Sequence, residues 1–134
     1  MNRLIVDTSA YSALKQGKES AVAALQRASS ILIPTVVLGE LWAGFEVGAR
    51  RERNRAELEL FLRSPRVKVV AITGETAERY ALIYAHLRSA RRPIPTNDLW
   101  IAAAAMEHGA ELLTADSHFL HVPQIMVRFL PSVN

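Results

Sequence analysis

Asp7, Glu40, Asp98 and Asp116 are spread along most of the chain, and each lies at or inside an apolar run from which a side chain can leave the core. Asp7 closes Leu4-Ile5-Val6, and Asp116 follows Leu112-Leu113-Thr114-Ala115. Both carboxylates would emerge from strand ends, where open α/β sheets hold their ligands. Asp98 opens a long apolar helix and Glu40 lies within another. Gathered in one place, four such acids repel one another, and divalent cations are what relieves that repulsion at neutral pH. Mg²⁺ and Mn²⁺ are hard ions that prefer oxygen, and Mg²⁺ typically takes only one or two carboxylates beside water and phosphate. Four acids therefore suit one or two ions. One ion can bring the pKa of a bound water toward neutrality while a second steadies a leaving oxygen, which together is the chemistry of phosphodiester hydrolysis.

Each acid also has a structural reading. Asp7 before Thr8-Ser9, Asp98 after Asn97 and Asp116 before Ser117 have the composition of helix or turn caps. Glu40 is different. Its neighbours one helical turn away are Val36, Val37, Gly44 and Phe45, so it is not on a clean solvent face and needs a partner or an ion.

Charge points to a polyanion. The formal net charge is +3, the sequence pI is near 9.7, and arginine dominates the basic residues. Arg50, Arg51, Arg53 and Arg55 form one run and Arg88, Arg91 and Arg92 another. Such runs can be no more than solvated helix ends. The second run, however, leads through Pro93-Ile94-Pro95 straight to Asp98, so a stiffened basic loop is expected at the rim of the acidic pocket.

The elements that must position these residues follow from periodicity. Short aliphatic runs at Leu4-Val6, Ile31-Ile33, Val67-Ile72, Leu112-Leu113 and Ile125-Phe129 read as strands. Helices are expected from Thr8-Ser9 to Gly17, over 19–28, 36–47 and 51–62, from the Thr73-Gly74-Glu75-Thr76 cap through Leu87, and over 97–108, where Gly109 ends the last. Alternation of strands and helices at this spacing predicts an α/β domain with a mainly parallel sheet flanked by helices.

The chain has 134 residues, half of them hydrophobic, which fits one domain over 1–134. The absence of cysteine excludes disulfides and thiolate metal sites and suits a reducing cytosol. Leu4-Val6 is too short for an export signal, and no apolar run approaches the roughly 20 residues that span a bilayer. A cytoplasmic protein with no membrane association is expected.

Four segments together carry a resemblance: Ile5-Val6-Asp7-Thr8-Ser9; Ile33-Pro34-Thr35 leading to Gly39-Glu40-Leu41-Trp42-Ala43-Gly44; Asn97-Asp98-Leu99-Trp100-Ile101-Ala102-Ala103; and Leu113-Thr114-Ala115-Asp116 with Phe119. In order and spacing the chain resembles PIN-domain proteins, in particular the VapC toxins of bacterial and archaeal toxin-antitoxin pairs. The resemblance implies a Rossmann-like parallel sheet and a Mg²⁺- or Mn²⁺-dependent endoribonuclease. It also implies a homodimer and a small VapB-like antitoxin whose C-terminal segment fills the active-site groove. Asp7, Glu40, Asp98 and Asp116 match the family's acidic quartet, catalytic and metal-binding, with Asp7 and Asp98 as direct ligands. Thr8 and Thr114 match its polar accessories, and Asn97 is expected to cap the helix or orient Asp98. Arg88, Arg91 and Arg92 would then hold RNA phosphates.

His118 and His121, three apart, lack a third nitrogen or sulfur ligand and read as surface or packing residues. Tyr11, Leu14, Trp42 and Phe45 read as core, with any exposed part open to the antitoxin or a second subunit; Trp100 reads as core rather than as a base-stacking residue. Two other functions fit parts of the pattern. A haloacid-dehalogenase-like phosphatase also carries an aspartate after its first strand, but it needs a second acid two residues on, where this chain has Ser9. A non-catalytic RNA-binding or scaffold module would use the arginines and leave the acids structural.

Overall fold

The computed structural model describes residues 2–131. Five short strands form one sheet: β1 (Arg3–Val6), β2 (Ser30–Pro34), β3 (Val67–Val70), β4 (Glu111–Thr114) and β5 (Val127–Phe129). All neighbours are parallel, in the order β3-β2-β1-β4-β5. Leu4, Ile5 and Val6 are fully buried, as are Leu112 and Leu113. Unbroken aliphatic runs of this kind belong to strands covered on both faces, because alternation with polar residues would place the latter under a helix.

The covering helices are α1 (Thr8–Lys15), α2 (Glu19–Arg27), α3 (Thr35–Val47), α4 (Arg51–Leu62), α5 (Gly74–Ser89) and α6 (Thr96–His108). Ala102, Ala103, Ala104 and Ala105 are all buried on α6, where small side chains permit close approach. Thr76 near the start of α5 donates to Glu107 Oε1 near the end of α6. A capping box between Thr73 and Thr76 starts α5, and Gly109, at φ 58°, supplies the left-handed residue that ends α6. Among the described residues, no helix is long and apolar enough to cross a membrane.

Two strands are shorter than their composition predicts. β3 stops at Val70 rather than Ile72, because its partner β2 ends there: Pro34 pairs with Val70, and the chain then turns into α3 at Thr35. Ile72 is left 44% exposed. β5 begins at Val127 rather than Ile125, which lies in the turn after Pro123.

The sheet order reverses at β1, whose two neighbours are β2 and β4. In doubly wound sheets the crevice beyond the strand C-termini opens at such a switch point. Here the residues leaving β1 and β4 are Asp7 and, after Thr114, Ala115-Asp116. A 3₁₀ turn (Ser117–His121) follows, and its Phe119 is fully buried, anchoring this loop to the core. Phe119→Ala should lower unfolding stability by about 3–5 kcal/mol in urea titrations, the range for deleting a buried aromatic ring; a loss below about 1 kcal/mol would show that the ring does not anchor the turn.

Candidate active site

Asp7 is 4% exposed and sits at the N-cap of α1, accepting from Ala10 N at 2.9 Å. Capping does not exhaust it. Ser9 Oγ lies 2.8 Å from Asp7 Oδ1 and 2.9 Å from Oδ2, and Thr114 Oγ1 donates to Oδ2 at 2.6 Å. The two hydroxyls in turn accept from the chain leaving β4: Ala115 N donates to Ser9 Oγ (2.8 Å) and Asp116 N to Thr114 Oγ1 (2.9 Å). Thr114 thus acts on Asp7 rather than standing free as a water-positioning hydroxyl. Ser9 is a site residue that sequence reasoning took for a cap; its signal was a hydroxyl two residues after a strand-end aspartate.

Glu40 reaches the site from α3. Thr8 Oγ1 donates to its Oε1 at 2.5 Å and Asn97 Nδ2 to its Oε2 at 3.1 Å. This corrects the expectation for Asn97, which neither caps α6 nor orients Asp98. Pro95 occupies the cap position, and no side chain caps there. Asp98 is the third residue of α6, so its charge faces the positive end of the helix instead of satisfying a cap.

The closest cluster joins Asp98, Asp116 and His118. Asp116 caps the 3₁₀ turn and accepts from His118 N at 2.9 Å. His118 Nδ1 is 3.1 Å from Asp98 Oδ2 and 3.1 Å from Asp116 Oδ1. Ligand atoms of the three residues all lie within 4.8 Å of one another. His118 is exposed, as expected for a surface residue, but its ring stands between two of the acids, whereas His121, also exposed, lies outside the cluster. Spacing alone could not separate the two: the 3₁₀ turn folds position 118 back over Asp116, and only the packing of α6 brings Asp98 to it.

Burial pushes the Asp7 carboxyl above the ordinary range; hydrogen bonds from Thr114, Ala10 and Ser9 oppose this, and the charge of Asp116 adds to it. Burial likewise raises Asp98, opposed by the hydrogen bond and the charge of His118 and reinforced by the charges of Asp116 and Glu40. All four acids thus share one field. Among the described residues, no lysine or arginine nitrogen comes within 4.0 Å of any of the four. A partly buried, oxygen-rich donor set of four acids, with one imidazole and no lysine or arginine beside it, keeps surplus negative charge and fits a divalent ion.

Arg88, Arg91 and Arg92 are exposed where α5 gives way to the loop before α6, and Arg91 holds a left-handed φ of 57°. Arg88 and Arg91 line a groove of about 260 Å³ with Tyr84, Leu87, Pro93, Ile94 and Leu99, the last being the residue after Asp98. Trp42 departs from the core expectation: it is 37% exposed with the Arg55 guanidinium 5.6 Å above its ring. Tyr11 is buried edge-on to Phe61, Leu14 and Phe45 are partly buried, and Trp100 packs on Tyr80 at 4.2 Å.

The raised carboxyls set a pH dependence. Between the ordinary aspartate pKa and the raised values, the folded chain holds protons that the unfolded chain has released, so metal-free stability falls as pH rises through that window. In chelator at pH 7, Asp98→Asn should raise the melting midpoint by roughly 4 °C, on the order of 1 kcal/mol for a domain of this size. An equal or lower midpoint would contradict the repulsion.

Residues 4–125 match the PIN domain family. Ribonuclease VapC4 of Mycobacterium tuberculosis is 33% identical over 95 residues, 71% of this chain and 73% of that protein. The DNA-bound VapBC structure from Salmonella typhimurium superposes with a TM-score of 0.83 at 26% identity, covering 96% of this chain and 98% of that one. VapBC2 from Rickettsia felis, bound to a promoter DNA fragment, shares the fold with a TM-score of 0.86 at 23% identity over 96% and 99%. Built on this sheet and matched over nearly its whole length, the chain belongs to the PIN-domain family, within its VapC ribonuclease branch.

Proposed function

We propose that this chain is a Mg²⁺- or Mn²⁺-dependent endoribonuclease and the toxin of a VapBC-type pair, with Asp7, Glu40, Asp98 and Asp116 as its catalytic acids. The observation that carries this reading is the gathering of four carboxylates at the sheet's switch point with, among the described residues, no lysine or arginine paired to them. The ribonuclease name of its 33%-identical relative supports the reaction, and the VapBC complexes among its structural neighbours support an antitoxin partner.

Asp98 and Asp116 present the closest oxygens for an ion. Asp7 retains capacity as well: Ser9 has a single hydroxyl proton and serves one Asp7 oxygen at a time, so one of the carboxylate's roughly four acceptor positions stays open. Thr8 and Asn97 hold Glu40 in a fixed orientation, from which it can take a proton from an attacking water. A bound divalent cation supplies positive charge for the scissile phosphate and acidifies water. The start of α6, with no side-chain cap, offers backbone N–H groups that favour the same phosphate. Arg88 and Arg91 in the adjoining groove, with Arg92 beside them, carry positive charge suited to the flanking strand. The phosphatase alternative loses ground because Ser9, in place of its second acid, is spent on fixing Asp7.

Three measurements test this reading. Asp98→Asn should cut cleavage of a susceptible RNA at least a hundredfold at fixed Mg²⁺ or Mn²⁺, with the variant folded; wild-type rates would remove Asp98 from the site. Neutralising Arg91 and Arg92 should flatten the salt dependence of RNA binding by about 0.7 per lost phosphate contact, and an unchanged slope would place RNA elsewhere. Expression of the chain alone should arrest bacterial growth, and co-expression of the small protein encoded beside it should restore growth; normal growth with abundant, intact chain would refute the toxin role.

A further inference from the structure

We propose that His118 Nδ1 is a direct nitrogen ligand of the ion held by Asp98 and Asp116, and that it shifts this site's preference from Mg²⁺ toward Mn²⁺. The inference rests on the reading of the acidic cluster as a metal site and adds a donor that an all-carboxylate quartet does not contain.

The distances carry it. In an octahedral shell with metal–ligand bonds of about 2.1–2.2 Å, adjacent donors lie about 3.0–3.1 Å apart, the bond length multiplied by the square root of two. His118 Nδ1 is 3.1 Å from Asp98 Oδ2 and 3.1 Å from Asp116 Oδ1. The nitrogen already stands at adjacent-ligand spacing from both oxygens.

The ring is also placed to stay there. Its own backbone N–H binds the Asp116 carboxylate, so ring and carboxylate are fixed by one 3₁₀ turn, and the next residue, Phe119, is fully buried. Among the described residues, no backbone carbonyl receives His118 Nδ1; its partners are the two acids. Without an ion, Nδ1–H is the donor these two acceptor oxygens need; an ion bound between them would take that proton's place, leaving the neutral imidazole with its proton on Nε2 and its lone pair at Nδ1. His121, three residues on, lies outside the cluster.

Selectivity follows from ligand chemistry. Mg²⁺ is best served by oxygen alone, whereas imidazole strengthens binding of first-row transition ions. Mn²⁺ is the member of that series that also favours carboxylate and water, which is the remainder of this donor set.

The test uses the full chain with Mn²⁺ as the paramagnetic probe. Pulsed electron paramagnetic resonance should detect ¹⁴N coupling of a directly bound imidazole in the wild type, retained in His121→Ala and lost in His118→Ala. Competition titrations should show the Mn²⁺-over-Mg²⁺ affinity ratio falling about tenfold or more in His118→Ala and in His118→Gln, which keeps a polar side chain if the alanine variant folds poorly. Bound Mn²⁺ without nitrogen coupling in the wild type, coupling that survives His118→Ala, or an unchanged affinity ratio would each overturn the proposal. Asp98→Asn separates the two levels of inference. If that variant loses Mn²⁺ and the wild type lacks nitrogen coupling, the metal site stands and His118 is not its ligand; if Asp98→Asn leaves Mn²⁺ binding intact, both fall.

Discussion

A buried carboxylate at the seam between two strands constrains everything around it. Asp7 leaves β1 almost wholly out of solvent, where an ionised group must be hydrogen-bonded, neutralised or supplied with a counterion. The chain meets the first need locally, through Ala10 N and Ser9, and across the seam, through Thr114. Because Ser9 and Thr114 also accept the backbone N–H groups of Ala115 and Asp116, the same atoms that satisfy Asp7 aim the loop after β4. Position and charge are therefore set by one network.

That network stops short of neutralisation. Hydrogen bonds pull the Asp7 carboxyl down, yet burial still prevails, and Asp98 behaves likewise beside Asp116 and Glu40. A site that keeps repelling charges together is less stable than an apolar filling of the same space, and it is held by the surrounding core: the fully buried β1 and β4, the alanine-rich face of α6 and the Phe119 anchor. Such uncompensated charge is what gives a divalent ion its binding energy, so local instability and metal affinity have a common origin.

Three helices converge on this field by different means. α1 contributes its cap, α6 its first turn, and α3 a glutamate from its middle that would be stranded among apolar neighbours without Thr8 and Asn97. Arg88 and Arg91 stand apart from the acids, in a groove whose lining includes Leu99, the residue after Asp98. Separation keeps the positive side chains from pairing with the carboxylates.

Much of this was written locally. Short aliphatic runs, helical periods, the Thr73-Thr76 cap and Gly109 are properties of neighbouring residues, and they suffice for the elements, the parallel sheet and the placing of the four acids on or beside those elements. Pro34 shows where local reading overreached, since the length of β3 depends on where its partner β2 ends. The hydrogen-bond assignments were beyond the sequence for the same reason. Asn97 serves Glu40 across 57 positions, Thr114 serves Asp7 across 107, and His118 meets Asp98 across 20. Trp42, at a position of helical apolar spacing, is left more than a third exposed because a helix's pattern does not say how far its neighbours cover it. Sequence alone determined which groups are present and on which elements; which of them touch, and therefore which acid is tied down and which stands beside a nitrogen donor, was decided by the order of the strands and the packing of α3 and α6 above them.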